Sequence, residues 1–468
     1  MPSDDMKKML KQAQLCADKI YENKNNKIKV TSHIDADGIT SAGVICKTLE
    51  RAGIEYDVQF VKQLDDLAID ALADEGNDLN IFTDLGSGML DQINAHDMNI
   101  VVSDHHEIHG ETECHINPHM FGLNGSHAIS GVGTTYLVSN MMDRSNYDLA
   151  DIVMVGAIGD MQNRKFNRLE MLNREIMEYG KKHGVVNNIK DLSMFGKQTR
   201  PVHKMIEFAS DPYLPGLTGN EDACIDFLHG IKADYVLGET PKLWYQLNPD
   251  EKRKIVTGIM QYCLRNSIPS YKTERLLTES YILCNEEEGT ELRDAMEYST
   301  LLNSTGRYEE AEIGLSVVMG DREVGFDNAK NLLAQHRKNL VDGMKFVKEN
   351  GIIELDNFQY FYSGKRIPQT IVGIVAGMCM SSVPNRHIPI IGMSDTDEGD
   401  KIKISARGTQ DLIRRGLNLS VALNEVTSQF EEGVGGGHDI AAGATIKIQD
   451  KDKFIELFNQ KLGEQLKT

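Results

Sequence analysis

Short apolar segments that end in aspartate recur through the first 160 residues, and they constrain the fold more than any other feature. We predict strands at KIKVTS (27–32), IEYDVQF (54–60), LNIFTD (79–84) and MNIVVSD (98–104), with polar helical stretches between them. Apolar residues at helical spacing between residues 39 and 49, followed by Gly53, indicate the first of these helices. This alternation is typical of α/β proteins with a doubly wound, mostly parallel sheet.

The residue pattern of the chain changes twice after this region. From about residue 186, turn formers such as DPYLPGLTGN (211–220) and charged helical segments follow, and strand patterns return after about residue 351. A chain of 468 residues is too long for one ordinary core. We therefore predict an N-terminal α/β domain at 1–185, a helical insertion and connector at 186–345, and a smaller C-terminal α/β domain at 346–468. The apolar run at 152–160 fits a helix or a strand equally well.

Composition excludes several classes of protein. Apolar residues make up 40% and charged residues 26% of the chain, as in soluble globular proteins, and no apolar run is long enough for a membrane span. Seven cysteines without a Cys-x-x-Cys pair indicate reduced thiols in a cytoplasmic protein and no cysteine zinc site. The net charge of −20 argues against tight non-specific binding to nucleic acid, although a local basic groove is compatible with it.

Four segments of the N-terminal region carry residues suited to metal chemistry: His33-Ile34-Asp35-Ala36-Asp37-Gly38, Asp84, Asp104-His105-His106 and Asp160. At least three of them follow predicted strands, and ligands of open α/β sheets gather at the carboxyl ends of the strands. A calcium loop starting at Asp35 is excluded because its twelfth position is Cys46. Taken singly, each segment also fits an ordinary turn or strand end.

The residue types favour two divalent cations. Mixed carboxylate and imidazole ligands suit Mn²⁺, Fe²⁺ or Zn²⁺, whereas Mg²⁺ prefers oxygen ligands alone. The four carboxylates of Asp35, Asp37, Asp84 and Asp160 balance the charge of two such ions. Two neighbouring ions can activate a water molecule and clamp a phosphoryl group. Asp84 is isolated on its own strand, so it is the natural candidate to bridge them.

These segments together resemble a known family. HIDADG (33–38), DLGSG (84–88), DHH (104–106) and Asp160 of VGAIGD resemble the ordered motifs of the DHH phosphoesterases. SARGT (405–409) and GGGHDIAAG (435–443) are similar to the substrate-binding domain associated with DHH domains. TRPVHK, DPYLPGLTGN and LLNSTGRYEEAE resemble the archaeal RecJ-like single-strand exonucleases in particular, so the resemblance covers nearly the whole chain.

The resemblance implies roles for individual residues. One metal ion would be held by His33, Asp35 and Asp84, and the other by Asp37, Asp84, His105 and Asp160. His106 would donate to the scissile phosphate, and Asp104 would orient a histidine. In the C-terminal domain, Arg407, Gly435, Gly436, Gly437 and His438 would bind nucleic acid; an arginine matches phosphate oxygens, and glycines leave backbone N–H groups open to an anion. Basic residues at Arg164, Lys165 and Arg168 could guide a single strand, or could be ordinary surface charge.

We therefore predict a metal-dependent exonuclease that hydrolyses single-stranded DNA or RNA by a two-metal mechanism, in DNA replication or repair. The expected cofactors are two divalent ions, Mn²⁺ before Mg²⁺. One alternative is a small-molecule phosphoesterase for oligoribonucleotides, cyclic dinucleotides or pyrophosphate. Another is a structural subunit of the replisome that binds the GINS complex and has a secondary nuclease activity. No membrane partner is expected.

Overall fold

A computed structural model describes residues 2–209, 212–380, 383, 385–397 and 399–466 of the chain. The described residues form two compact units, Met1–Leu333 and Ala334–Thr468. Asp211, the first residue of the predicted loop 211–220, lies outside the described part. Among the helices that are described, none combines the length and the apolar character needed to cross a membrane.

The first unit is built on a five-stranded sheet. Its strands are β1 (Ile28–His33), β2 (Tyr56–Val61), β3 (Leu79–Thr83), β4 (Ile100–Ser103) and β5 (His115–Ile116). They lie in the order β2-β1-β3-β4-β5, and every neighbouring pair is parallel. The helices that accompany this sheet are α1 (Asp4–Glu22), α2 (Ala36–Arg51), α3 (Asp66–Asp74), α4 (Leu90–Ala95), α5 (Gly131–Met142), α6 (Ala150–Gly159) and α7 (Met171–Lys182).

The register of the sheet brings the ends of three strands together. Ser32 of β1 pairs with Thr83 of β3, and Thr83 also aligns with Ser103 of β4. The residues that follow these three positions are His33, Asp84 and Asp104. The chain runs from β1 outward to β2 and returns on the other side of β1 to form β3, so the strand order reverses between β1 and β3. A reversal of this kind opens a crevice at the carboxyl ends of the strands.

The apolar run at 152–160 forms helix α6, which the sequence pattern left undecided. Nine of its ten residues, from Ala150 to Ile158, are buried, because α2, α5, α7 and a later helix surround it. A helix without a polar face has no 3.6-residue periodicity to reveal it. As a consequence, Asp160 follows the last turn of a helix and does not end a strand.

A second group of elements completes the first unit around a core of its own. Its strands and helices are β6 (Val186–Leu192), α8 (Val202–Glu207), α9 (Glu221–Gly230), β7 (Val236–Leu237), β8 (Thr240–Pro241), α10 (Pro249–Arg265), α11 (Ser270–Thr273) and β9 (Leu277–Leu283). This core includes Trp244, whose indole N–H donates to the carboxylate of Asp191. Helices α12 (Ala295–Arg307) and α13 (Ala311–Met319) follow and pack on α2, and α14 (Val324–Asn350) continues into the second unit.

The second unit is a six-stranded sheet with helices. The strands are β10 (Ile353–Glu354), β11 (Gln359–Tyr362), β12 (Ile390–Asp395), β13 (Lys401–Arg407), β14 (Val434–Gly437) and β15 (Ala441–Lys447), in the order β10-β11-β12-β13-β15-β14. The remaining helices are α15 (Val372–Cys379), α16 (Gln410–Arg414), α17 (Leu419–Thr427) and α18 (Lys451–Leu466). The predicted α/β fold class, with a parallel sheet in the N-terminal domain and a smaller C-terminal α/β domain, is confirmed. The predicted boundaries at 185 and 345 stay a prediction.

Candidate metal centre

The HIDADG segment forms the tight connection between β1 and α2. Asp35 is the N-cap of α2, and its side chain accepts a hydrogen bond of 3.0 Å from the backbone N–H of Gly38. A Cβ atom at Gly38 would lie 2.1 Å from the carbonyl oxygen of His33, so only glycine allows the chain to turn here. The cap leaves the second carboxylate, Asp37, in the first helical turn.

Asp37 and Asp84 are both buried against the N-terminus of α5. The two oxygens of Asp37 accept the backbone N–H groups of Gly131 (2.8 Å) and Val132 (2.9 Å). Asp84 has a left-handed backbone (φ 60°), which aspartate tolerates better than most residues. A Cβ atom at Gly131 would lie only 2.2 Å from Oδ1 of Asp84. Each side chain is 2% exposed, so both carboxyl groups lie in the interior.

Asp84 stands between two groups of ligand atoms. One group is His33, Asp35 and Asp84; the other is Asp37, His105 and Asp160; within each group the candidate ligand atoms lie within 4.8 Å of one another. Oδ2 of Asp84 is 3.9 Å from Nδ1 of His33, and Oδ1 is 3.3 Å from Nε2 of His105. Within the described part of the chain Oδ1 accepts no hydrogen bond, although it is buried. The two oxygens of one carboxylate thus face different groups.

His105 is held with one ring nitrogen available to a ligand. Its Nδ1 lies 2.9 Å from the carbonyl oxygen of Gly125, a contact that places the proton on Nδ1 and leaves Nε2 as the electron-pair donor. Nε2 is 3.7 Å from Oδ2 of Asp37. Gln162 donates both to the same carbonyl oxygen (2.7 Å) and to Oδ2 of Asp160 (2.8 Å). Gln162 therefore connects Asp160, at the end of α6, with the carbonyl oxygen of Gly125 that orients His105.

The electrostatics of the centre favour cations. The pKa of Asp37 is raised to about 6, mainly by burial and also by the charges of Asp160 and Asp35. The charge of His105 opposes this rise. Burial also raises the pKa of Asp84 well above its ordinary value, and the charges of Asp37 and Asp35 add to the effect. The pKa of Asp160 is raised by burial as well. Carboxylates that repel one another in this way are stabilised by divalent ions, so the donor set fits such ions.

Asp104 holds the two histidines that follow it. Its Oδ1 accepts the backbone N–H of His105 (2.7 Å) and Nδ1–H of His106 (2.7 Å), and Oδ2 accepts the N–H of Ser87 (2.9 Å). Both oxygens thereby orient the DHH segment, although Asp104 also belongs to a cluster with Asp84, His105 and His106 whose ligand atoms lie within 4.8 Å of one another. The hydrogen bond from His106 is the main reason why the pKa of His106 rises to about 9. The ring of His106 is 58% exposed and is a cation at neutral pH.

Helix α12 adds two residues that the sequence patterns did not single out. Oδ1 of Asn303 accepts the backbone N–H of Ala36 at 3.0 Å. The guanidinium of Arg307 is largely buried; burial lowers its pKa, and the charge of Asp35 opposes that change. A Cβ atom at Gly306 would lie 1.8 Å from the carbonyl oxygen of Ile34. The sequence feature that could have revealed these two residues is the four-residue spacing of Asn303 and Arg307, which places both on one helix face.

The predicted nucleic-acid contacts lie in the second unit. Arg407 is half-buried at the end of β13, where Nη1 donates to the carbonyl oxygen of Ala406. Gly435, Gly436 and Gly437 belong to β14, which pairs only with β15 and forms the edge of the sheet. The backbone N–H of His438 donates to Ala441. The glycines therefore form an edge strand, in which alternate backbone N–H groups point away from the sheet.

Comparison with known proteins gives the family. The chain matches the N-terminal domain of the DHH family at residues 27–157, the DHH-CID domain at 194–277 and the DHHA1 domain at 356–464. An uncharacterized protein of Methanocaldococcus jannaschii is 32% identical over 450 residues, which is 94% of each chain.

Solved structures with the same fold are more distant in sequence. RecJ of Thermus thermophilus, in complex with Mn²⁺, has a TM-score of 0.59 at 15% identity, and the match covers 99% of this chain. The chain spans about half of that protein (55%). CDC45 of Entamoeba histolytica has a TM-score of 0.67 at 10% identity, with 96% of this chain and 99% of that chain covered. With the three domain matches in this order and the fold shared with RecJ, the chain belongs to the DHH superfamily as a RecJ-like phosphoesterase.

Proposed function

We propose that this protein is a metal-dependent exonuclease that hydrolyses single-stranded DNA or RNA with two divalent ions. The observation that carries the proposal is the position of Asp84, because its two carboxylate oxygens face two separate groups of ligand atoms. One carboxylate in this position can bridge two ions. Imidazole nitrogens from His33 and His105 favour Mn²⁺ over Mg²⁺.

The residues divide into two sets of ligands. His33, Asp35 and Asp84 would hold one ion, and Asp37, Asp84, His105 and Asp160 would hold the other. Bound divalent ions lower the pKa of a water molecule and neutralise charge on a phosphodiester. The protein contributes the orientation: the N–H groups of α5 fix Asp37, Gly125 fixes His105 and Gln162 fixes Asp160.

His106 and the second unit would act on the substrate. The imidazolium of His106, held by Asp104, is exposed and donates to a phosphate oxygen as negative charge develops there. Arg407 offers a planar guanidinium to a phosphate of the strand. Backbone N–H groups on the open edge of the Gly435–Gly437 segment and the side chain of His438 offer further donors to its backbone.

The charge of His106 gives a pH dependence. Its raised pKa means that the donor form is present below about pH 9 and is lost above it. We expect the turnover of the wild type to fall as the pH rises through about 9. His106→Gln should lower kcat about 10²–10³-fold and remove this alkaline limb, because glutamine has no charge to lose. Steady-state rates between pH 6 and 10 measure both effects. Mn²⁺ affinity within about threefold of the wild type is the control, and an unchanged alkaline limb would contradict the role.

Polymeric and small substrates separate the proposed activity from its closest alternative. The experiment is digestion of end-labelled single-stranded DNA and RNA in Mn²⁺, with a dinucleotide and pyrophosphate in parallel. We expect progressive shortening of the long strands, which also reveals the polarity. Turnover of only the small substrates would transfer the assignment to a small-molecule phosphoesterase.

A second candidate function is binding to a protein partner, for which the resemblance to archaeal RecJ-like proteins suggests GINS. The insertion at 194–277 supports it, because the insertion has a separate core and exposes the apolar side chains of Phe208, Leu237 and Leu264. If none of the four substrates is turned over, this second function becomes the leading one.

A further inference from the structure

The segment that follows Asp160 exposes apolar side chains next to the metal centre. Met161, Phe166 and Met171 are 57%, 44% and 40% exposed. Met161, Asn167 and Met171 also have left-handed backbones, with φ of 56°, 57° and 52°. This conformation is unfavourable for residues other than glycine, asparagine and aspartate. Met161 and Met171, which flank Phe166 in the chain, are thus exposed apolar residues at unfavourable backbone conformations.

Phe166 is part of a cluster with an imidazole and an ammonium group. Its ring lies 5.8 Å from the ring of His127 at an angle of 68°, so the two rings meet edge to face. Nζ of Lys165 is 5.1 Å from the centre of the Phe166 ring and 3.3 Å from Nε2 of His127. Burial lowers the pKa of His127, and the charge of Lys165 lowers it further, so the imidazole is neutral. The cluster combines aromatic surface with one cation.

The two chain segments that carry Phe166 and His127 are both connected to the metal centre by hydrogen bonds. Gln162, four residues before Phe166, donates to Asp160 and to the carbonyl oxygen of Gly125. Gly125, two residues before His127, holds the ring of His105 through the same carbonyl oxygen. Short stretches of chain therefore connect the cluster to the contacts that orient two candidate metal ligands, Asp160 and His105.

We propose that Phe166, His127 and Lys165 form a stacking site for a nucleobase of the substrate strand, adjacent to the nucleotide whose phosphodiester is cleaved. This inference rests on the proposed nuclease function. A base stacks on an aromatic face, and a neighbouring cation pairs with the phosphate that follows it. The site gives the enzyme a reason to prefer a strand with bases over pyrophosphate.

Charge argues for a nucleic acid as the occupant. Arg164, Lys165 and Arg168 place three cations within five residues of a chain whose net charge is −20. Arg168 pairs with Glu170, whereas Arg164 has no carboxylate partner among the described residues. A local excess of positive charge around an aromatic ring is complementary to a phosphate-linked base, and a purely apolar ligand would gain nothing from it.

A fluorescent reporter at position 166 tests the inference directly. The one natural tryptophan, Trp244, is 1% exposed, so Phe166→Trp introduces the only solvent-accessible indole. Its emission is followed during titration with a single-stranded oligodeoxynucleotide, with Ca²⁺ in place of Mn²⁺ to suppress turnover, and with an oligonucleotide of abasic sites as the base-free probe. Phe208→Trp is the matched control, because Phe208 is also exposed and also lies beside cationic side chains, in the insertion.

The expected result is quenching of the Phe166→Trp emission by the oligonucleotide with bases and not by the abasic strand, with no quenching in Phe208→Trp. In the same titrations, followed by anisotropy of a labelled strand, Phe166→Ala should raise Kd about tenfold for the strand with bases and less than about twofold for the abasic strand. Phe166→Tyr should retain the wild-type Kd.

Two other outcomes would overturn the inference, and they are distinguishable. If strands bind but quench the emission of Phe166→Trp and Phe208→Trp equally, or quench neither, there is no stacking at Phe166. The proposed nuclease function then stands. If the wild type binds no strand at all, the proposed function fails together with the stacking site.

Discussion

Asp84→Asn is expected to abolish phosphodiester hydrolysis and, at the same time, to stabilise the protein when no divalent ion is present. The loss of activity follows from the position of Asp84, whose two oxygens face both groups of ligand atoms. An amide offers one neutral oxygen in place of two charged ones, so neither ion retains its full set of ligands. Because the ions supply several kcal/mol of transition-state stabilisation, we expect a loss of about 10³-fold or more in kcat/KM.

The gain in stability follows from the raised pKa values. A carboxyl whose pKa is higher in the folded protein than in the unfolded chain destabilises the fold as the pH rises through the interval between the two values. For Asp37 this interval extends from about 4, the value in an unfolded chain, to about 6. At pH 7 the penalty from Asp37 is therefore present, and the raised pKa of Asp84 adds a penalty of the same sign. Replacing one charge by an amide relieves it, and asparagine accepts the left-handed backbone at φ 60°.

Thermal unfolding at two pH values measures the effect. At pH 7 with a chelator, Asp84→Asn should unfold at a higher Tm than the wild type, and at pH 4 the difference should disappear. Addition of Mn²⁺ at pH 7 should raise the Tm of the wild type and leave that of the variant unchanged. Asp97→Asn is the matched control, because Asp97 is exposed and also has a left-handed backbone (φ 51°). A lower Tm for metal-free Asp84→Asn would show that the carboxylate contributes to the fold and not only to ligand binding.

Local patterns were enough to predict the parallel sheet but not all of the residues around the centre. Each of the four predicted strands of the first sheet is present, because short runs of alternating or continuous apolar residues leave few alternatives, whereas the two-residue strand β5 was not predicted. Helix α6 was undecided, since its complete burial removes the periodicity that distinguishes a helix from a strand. Residues such as Asn303 were missed because their contacts join segments separated by 267 positions, and no local pattern encodes such a contact.

The same limit applies to the glycine-rich segment of the second unit. Three consecutive glycines carry no side-chain pattern that would indicate a strand, whereas the structure places them in edge strand β14. A Cβ atom at Gly437 would lie 2.7 Å from Cα of Ala442 on β15, so close pairing of the two strands explains this glycine. The requirement comes from a neighbouring strand and cannot be read from the segment itself. Whether these glycines bind a strand stays a prediction.

Gly131→Ala is expected to reduce activity on the order of 10²-fold although it alters no ligand. Gly131 is the first residue of α5, where alanine would ordinarily favour the helix by up to about 1 kcal/mol. The added methyl group, however, would meet Oδ1, Cγ and Cβ of Asp84 at 2.2, 2.7 and 2.7 Å. The whole carboxylate must move, and the N–H of Gly131 that holds Asp37 must move with the helix. A displacement of about 1 Å in a catalytic group is sufficient for such a loss.

The measurement is Mn²⁺ affinity by calorimetry together with kcat/KM on a single-stranded oligonucleotide. We expect Gly131→Ala to bind Mn²⁺ about 10–100-fold more weakly, as for changes in residues that orient metal ligands. Gly88→Ala is the matched control, because Gly88 lies in the DLGSG segment beside the same centre and its Cβ atom would meet no atom closer than 3.8 Å. That variant should bind and cleave like the wild type. Equal Mn²⁺ affinity in Gly131→Ala and Gly88→Ala would mean that Asp84 does not need its position against α5, and the two-ion arrangement around its carboxylate would have to be abandoned.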